Sequence, residues 1–196
     1  MTRVVHLILA ALAMAIIPRA AFAHIDIGTT ASFAAGFAHP FGGLDHVAAM
    51  VAVGLWAALK GGRAVWLWPL AFVSMMLAGG ALGIAHVPLL WVEPAILASV
   101  VAIGLLVALA IDCPLWLGAA IAGGFAVFHG HAHGTEVTET VSGLEYMAGF
   151  AAATAMLNLI GIAVALGLAS AGFRPLIRVG GLACIGVGVV LASGIW

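Results

Sequence analysis

Imidazole and carboxylate side chains recur at short spacings in two segments of this 196-residue chain. The first segment reads His39-Pro40-Phe41-Gly42-Gly43-Leu44-Asp45-His46, and the second reads Phe128-His129-Gly130-His131-Ala132-His133-Gly134-Thr135-Glu136. Glu93 stands between them in an apolar stretch. Imidazole with carboxylate is the ligand set for borderline divalent ions such as nickel, cobalt and zinc. A proton relay is the alternative, because histidine also titrates near neutral pH; we favour metal handling.

In the first segment, residues that break a helix separate His39 from Asp45 and His46. Pro40 and two glycines interrupt the chain, and Asp45 and His46 then fall in the first turn of the helix that follows. The helix dipole favours an anion at that position, although Asp45 could also be an ordinary acid at a helix start. Met50 lies four residues after His46 and shares its helix face, as either a weak soft ligand or a core residue.

In the second segment the spacing is compatible with one helical stripe. His129, His133 and Glu136 are four and three residues apart, so a helix would align them and turn His131 elsewhere. Gly130 and Gly134 indicate instead that the helix frays, and we predict its end at His131. The candidate metal ligands are His39, Asp45, His46, Glu93, His129, His133 and Glu136. We assign no catalytic residue and no permanently bound cofactor.

The composition predicts the framework that must position these groups. Hydrophobic residues make up 65% of the chain and charged residues 7%, whereas a soluble domain carries roughly 25% charged residues. A net charge of −1 offers no basic surface for nucleic acid. Continuous apolar runs of about 20 residues match spanning helices, and 26 glycines suit close helix packing in lipid. We therefore predict an all-α, polytopic membrane helix bundle.

Residues 1–23 are typical of a cleaved signal peptide. Arg3 precedes an apolar run, Pro18 ends it, and Ala21-Phe22-Ala23 is a small-x-small cleavage pattern. An uncleaved first transmembrane helix is the alternative. Cleavage would make His24 the mature N-terminus, on the far side of the membrane, and leave residues 24–196 as one transmembrane transporter domain.

Six spans are predicted after the signal peptide: Gly43–Leu59, Ala64–His86, Leu89–Ile111, Leu115–His131, Gly143–Ser170 and Pro175–Trp196. With an exported N-terminus, all four cations of the mature chain lie at cytoplasmic helix ends, as the positive-inside rule requires: Lys60, Arg63, Arg174 and Arg178. The same topology places both histidine segments on the periplasmic side of a bacterial inner membrane. Cys113 and Cys184 fall at different depths, so no disulfide is expected.

The first histidine segment resembles the signature of the HupE/UreJ family of membrane proteins. The similarity continues with Trp91-Val92-Glu93-Pro94 and with the second histidine segment, and it covers essentially the whole chain. The resemblance implies entry of nickel, or cobalt, that supplies hydrogenase or urease maturation, with the metallochaperones of those pathways as partners. It also implies that the seven candidate ligands named above are the functional positions.

We accordingly predict secondary, energy-independent transport of Ni²⁺, or Co²⁺, rather than an enzyme. The sequence has no Gly-x4-Gly-Lys-Ser/Thr motif for ATP, and an inward-negative potential of 100 mV contributes about 4.6 kcal/mol to a divalent cation. Two alternatives belong to other classes. One is a periplasmic metal-binding or assembly accessory protein that transports nothing. The other is a membrane metalloenzyme, for which the histidine boxes are few.

Overall fold

Seven α-helices and one 3-10 turn contain most of the residues that the computed structural model describes, which are 32–137 and 141–193. The helices are α1 Phe33–Ala38, α2 Leu44–Lys60, α3 Ala64–Ile84, α4 Val92–Ala108, α5 Leu115–Glu136, α6 Val141–Ser170 and α7 Arg174–Ala192, with the turn at His39–Gly42. These ranges contain no strand, so the all-α prediction is confirmed for them. The predicted signal peptide and its cleavage site lie outside the described residues.

Each of the six predicted spans has a counterpart among α2 to α7. Four helices are long and apolar enough to cross a membrane: α3, α5, α6 over Gly143–Ser170, and α7. A further span results if α1, the 3-10 turn and α2, which bend by 90°, are counted together, and α4 is a shorter apolar helix of 17 residues. The chain is thus a multi-pass membrane protein, and the count of six spans stays a prediction.

The third span is shorter than predicted because the backbone ends it on both sides. The sequence pattern predicts Leu89–Ile111, whereas α4 covers Val92–Ala108. Trp91 has a φ of 64° and Ala110 a φ of 51°. These left-handed conformations are rare for residues with a side chain and cannot continue a right-handed helix.

Glycines bring the helices together in three pairs. Gly130 of α5 leaves no room for a Cβ atom against the Met76 carbonyl of α3, and Gly54 of α2 leaves none against the Asn158 carbonyl of α6. Gly104 of α4 is similarly close to a carbonyl of α7. Small residues at such contacts let membrane helices pack backbone to backbone. The pairs are therefore α3 with α5, α2 with α6, and α4 with α7, and α1 packs on the start of α6.

The centre of the bundle is α2, whose residues from Ala49 to Ala57 are all buried except the partly buried Val51. Near its end, Trp56 packs against Trp68 of α3 with ring centroids 4.2 Å apart. The two indole N–H groups donate to the carbonyls of Ile111 and Leu115, each over 2.9 Å, and so hold the loop between α4 and α5. We call this the tryptophan end of the bundle, and the end with His39, His46 and His133 the histidine end.

Candidate metal site

The bend between α1 and α2 positions the first group of candidate ligands. Ser32 caps α1 by accepting from the Ala35 N–H over 3.2 Å. The helix gives way to the 3-10 turn at His39, where Pro40 supplies no backbone N–H, and Gly43 is extended before α2 begins. This sharp turn brings the rings of His39 and His46 within 6.5 Å of each other. The sequence predicted the interruption at Pro40 and the glycines but not the helix α1 before it.

Asp45 lies in the first turn of α2 and contacts His46 through two hydrogen bonds. Its Oδ1 atom accepts from the His46 backbone N–H over 2.9 Å and lies 2.7 Å from Nδ1 of the same residue. A carboxylate can only accept, so Nδ1 carries the proton. In a neutral imidazole the lone pair then belongs to Nε2, and His46 Nε2 faces His133 Nε2. Asp45 thus orients the ring of His46 so that the lone pair of its Nε2 atom points toward the other candidate ligands.

The second group of ligands comes from α5, which continues to Glu136. The prediction that this helix frays and ends at His131 is wrong. Gly130 and Gly134 pack tightly against the Met76 and Gly80 carbonyls of α3. Close packing therefore outweighs the low helix propensity of glycine.

The continued helix aligns its candidate ligands as the spacing predicts. His129, His133 and Glu136 share one stripe of α5. His131 is buried elsewhere, with Nε2 2.8 Å from the Val87 carbonyl oxygen.

His133 is the point where the two groups meet. Its ring centroid lies 4.5 Å from that of His39 and 4.5 Å from that of His46. Glu136 Oε2 lies 3.6 Å from His133 Nδ1 and 3.9 Å from His39 Nε2. One ligand atom from each of His39, His133 and Glu136 falls within 4.8 Å of the others, a separation that a single metal ion could bridge.

Exposure of these side chains changes in steps from solvent to interior. The Glu136 side chain is 57% exposed, His39 is 32% exposed and His133 is 5% exposed. An ion arriving at the histidine end therefore meets a carboxylate first and buried imidazoles afterwards. Imidazole and carboxylate together suit nickel, cobalt and zinc better than hard ions, which prefer oxygen alone.

His129 lies one helical turn deeper and has no exposed surface. Its ring is 5.3 Å from that of His46, and its Nε2 atom lies 2.8 Å from Ser99 Oγ of α4. Among the residues that the structure describes, no hydrogen-bond partner is found for the buried Nδ1 atoms of His129 and His133. Buried polar atoms are normally satisfied, so both atoms remain available to an ion or to water.

Sequence reasoning did not single out Ser99 or the aromatic rings that enclose the ligands. The ring centroid of Phe150 in α6 lies 4.4 Å from that of His133. Tyr146 is one turn before Phe150, and its ring centroid lies 5.7 Å from that of His39. A four-residue spacing of aromatic residues is ordinary core patterning, which is why it carried no signal. The rings cover the imidazoles on the side of α6, and both rings belong to buried residues.

Glu93 does not join the other six candidate ligands. It is exposed in the first turn of α4, and no contact with the cluster is seen within residues 32–137 and 141–193. The six that come together are His39, Asp45, His46, His129, His133 and Glu136. We call these six residues the histidine cluster.

Comparison with known proteins agrees with the similarity seen in the motifs. A family model described as HupE / UreJ protein matches residues 12–191. Protein HupE of Rhizobium leguminosarum bv. viciae is 45% identical over 187 residues, which are 95% of this chain and 95% of that protein. No solved structure matches with significance.

Proposed function

Because the chain belongs to the HupE/UreJ family, we propose that it is a secondary, energy-independent carrier for Ni²⁺, or Co²⁺, that supplies maturation of a metalloenzyme such as hydrogenase or urease. The observation that carries this proposal is the histidine cluster itself. Ionisable groups in spanning helices are costly and normally face partners or a path for ions. Here they come from separate helices and converge at one end of the bundle.

Capture begins at Glu136, the most exposed ligand of the cluster. A hydrated cation is attracted by this carboxylate and then exchanges water for the imidazoles of His39 and His133. His46 adds a further nitrogen from α2, held by Asp45 behind it. His129 is the next imidazole toward the interior. Glu93, which lies apart from these groups, has no direct ligand role in this scheme.

The membrane potential can drive the ion inward. With the histidine end in the periplasm, the cation moves down an inward-negative potential worth about 4.6 kcal/mol at 100 mV. At the tryptophan end, Asp112 is paired with Lys60 at the surface, so we expect this carboxylate to bind metal only weakly. Weak ligands at the exit favour release, just as strong ligands at the entrance favour capture. Cleavage of residues 1–23 and the inner-membrane orientation are parts of the same proposal.

The test is metal flux into proteoliposomes made from the purified protein. We expect ⁶³Ni²⁺ to enter without ATP, at a rate that rises with an inside-negative potassium diffusion potential. His133→Ala should abolish this flux, whereas His131→Gln, a change at the neighbouring buried histidine outside the cluster, should retain it. Equilibrium binding of Ni²⁺ by wild-type protein with no flux would replace the carrier by the accessory protein that only binds metal.

A further inference from the structure

Asn158 is a buried polar residue that the histidine cluster does not use. It lies near the middle of α6 with no exposed surface, and within the described residues neither its Oδ1 nor its Nδ2 has a hydrogen-bond partner. An unsatisfied buried amide costs about 1–3 kcal/mol, and a polar group at membrane depth normally faces the bundle interior for a functional reason. Replacement by leucine would remove that cost, so the presence of the amide needs an explanation.

The position of Asn158 along α6 connects it to the cluster. Phe150, Thr154 and Asn158 are spaced by four residues and are all fully buried, so they share one face of the helix. The Phe150 ring covers His133. Asn158 therefore lies two turns beyond the cluster, about 12 Å along the helix axis.

Other neutral donors lie in the interior between the cluster and Asn158. Thr154 Oγ1 donates to the Phe150 carbonyl over 2.9 Å and lies 3.4 Å from the Met76 Sδ atom of α3. On α2, Met50 is fully buried one turn beyond His46, and Gly54 brings the backbone of α2 against that of Asn158. Hydroxyl, thioether and amide groups from three helices are thus buried between the cluster and the tryptophan end.

We propose that Asn158, with Thr154, Met50 and Met76, forms a second station for the transported cation, and that the amide oxygen of Asn158 is its main ligand. The inference rests on the proposed function. First-row divalent ions accept amide oxygen and thioether sulfur, and neutral donors bind them less tightly than imidazole with carboxylate. Conduction needs sites that are favourable enough to enter and weak enough to leave. A weaker neutral station after a strong cluster meets both requirements.

The test separates capture from translocation in the proteoliposome assay with ⁶³Ni²⁺. Asn158→Leu keeps a similar volume and removes both amide atoms. Since one lost ligand interaction is worth about tenfold or more in rate, we expect the maximal rate to fall at least about tenfold while the KM for external Ni²⁺ stays within about twofold. Asn158→Ala gives the same comparison if the leucine variant folds poorly. Leu157→Ile, a volume-conserving change at the adjacent buried position, is the control and should behave as wild type.

The outcomes distinguish this inference from the proposed function. If Asn158→Leu and Asn158→Ala both keep the wild-type maximal rate while His133→Ala has lost transport, the amide serves packing alone and the second station is overturned. A rise in KM with an unchanged maximal rate would also overturn it, because the amide would then belong to capture. If wild-type vesicles carry no Ni²⁺, the proposed function fails first and the second station fails with it.

Discussion

Replacing Asp45 by alanine removes the acceptor that holds the ring of His46. The carboxylate of Asp45 accepts from both the backbone N–H and Nδ1 of His46, over 2.9 Å and 2.7 Å. Without it, the imidazole can rotate and can carry its proton on Nε2, the atom that faces His133. The expected defect is therefore weaker capture of the ion, although the imidazole itself remains in place.

The size of this effect can be estimated for two substitutions. Loss of the partner that orients a metal-binding histidine costs about 10–100-fold in metal affinity, or roughly 1.4–2.7 kcal/mol. Asp45→Asn keeps an oxygen acceptor but loses the charge. Because hydrogen bonds to ionised groups are roughly twice as strong as neutral ones, about half of that free energy should be lost, which corresponds to a roughly threefold to tenfold change in affinity.

The measurement is the KM for external Ni²⁺ in proteoliposomes at a fixed membrane potential. We expect KM to rise in the order wild type, Asp45→Asn, Asp45→Ala. Asp112→Ala, which removes a carboxylate at the opposite end of the bundle, is the control and should change KM less than about twofold. If Asp45→Asn were as damaging as Asp45→Ala, the negative charge itself would bind the ion. If Asp45→Ala kept the wild-type KM, the orienting role would be refuted.

Mass spectrometry of the purified protein should show His24 as its N-terminus; an intact Met1 terminus would contradict cleavage. Gly130→Ala should lower the free energy of unfolding by about 1–3 kcal/mol, because the added methyl group overpacks against α3. The control is Gly124→Ala, where a Cβ atom meets no neighbour within 4 Å, and equal melting temperatures for the two variants would contradict the tight pairing of α3 with α5. Imidazole binds metal in its neutral form, which burial favours over the charged form, so the KM for Ni²⁺ should hold between about pH 7.5 and 6.5 and rise only at lower external pH. A KM that already rises between about pH 7.5 and 6.5 would contradict capture by buried imidazoles. Burial raises the pKa of the Cys113 thiol above its ordinary value, which leaves it protonated and a poor ligand at neutral pH, so Cys113→Ala should transport normally; a loss equal to that of His133→Ala would require a thiolate site.

Long apolar runs made the helices of the bundle predictable, because length and hydropathy alone determine where a chain can span lipid. The starts of the second and fourth predicted spans, at Ala64 and Leu115, agree with α3 and α5. The short helix α1 has no such run, and its six residues are ordered by packing on α6. Local sequence carries little information about a contact of that kind.

The same distinction applies to the candidate site. Spacing alone indicated that His129, His133 and Glu136 would share a stripe, and that stripe exists because α5 stays helical. The continuation depends on glycine contacts with another helix, which no local pattern encodes. The partnership of His129 with Ser99 and the separation of Glu93 from the cluster likewise depend on how distant segments pack.

The two groups of candidate ligands belong to different helix pairs, so a movement of one pair against the other would change the geometry of the metal site. His39 and His46 belong to the segment from α1 to α2 that packs on α6, whereas His133 and Glu136 belong to α5, which is joined to α3. A relative shift of 1–2 Å, the usual size of a sliding motion between packed helices, changes distances between the two groups and leaves distances inside each group unchanged. The Asp45–His46 bond would thus survive a motion that separates His46 from His133. By thermodynamic reciprocity, an ion that binds one arrangement more tightly also stabilises that arrangement. Under the proposed function, the departure of the ion would therefore free the two groups to move apart.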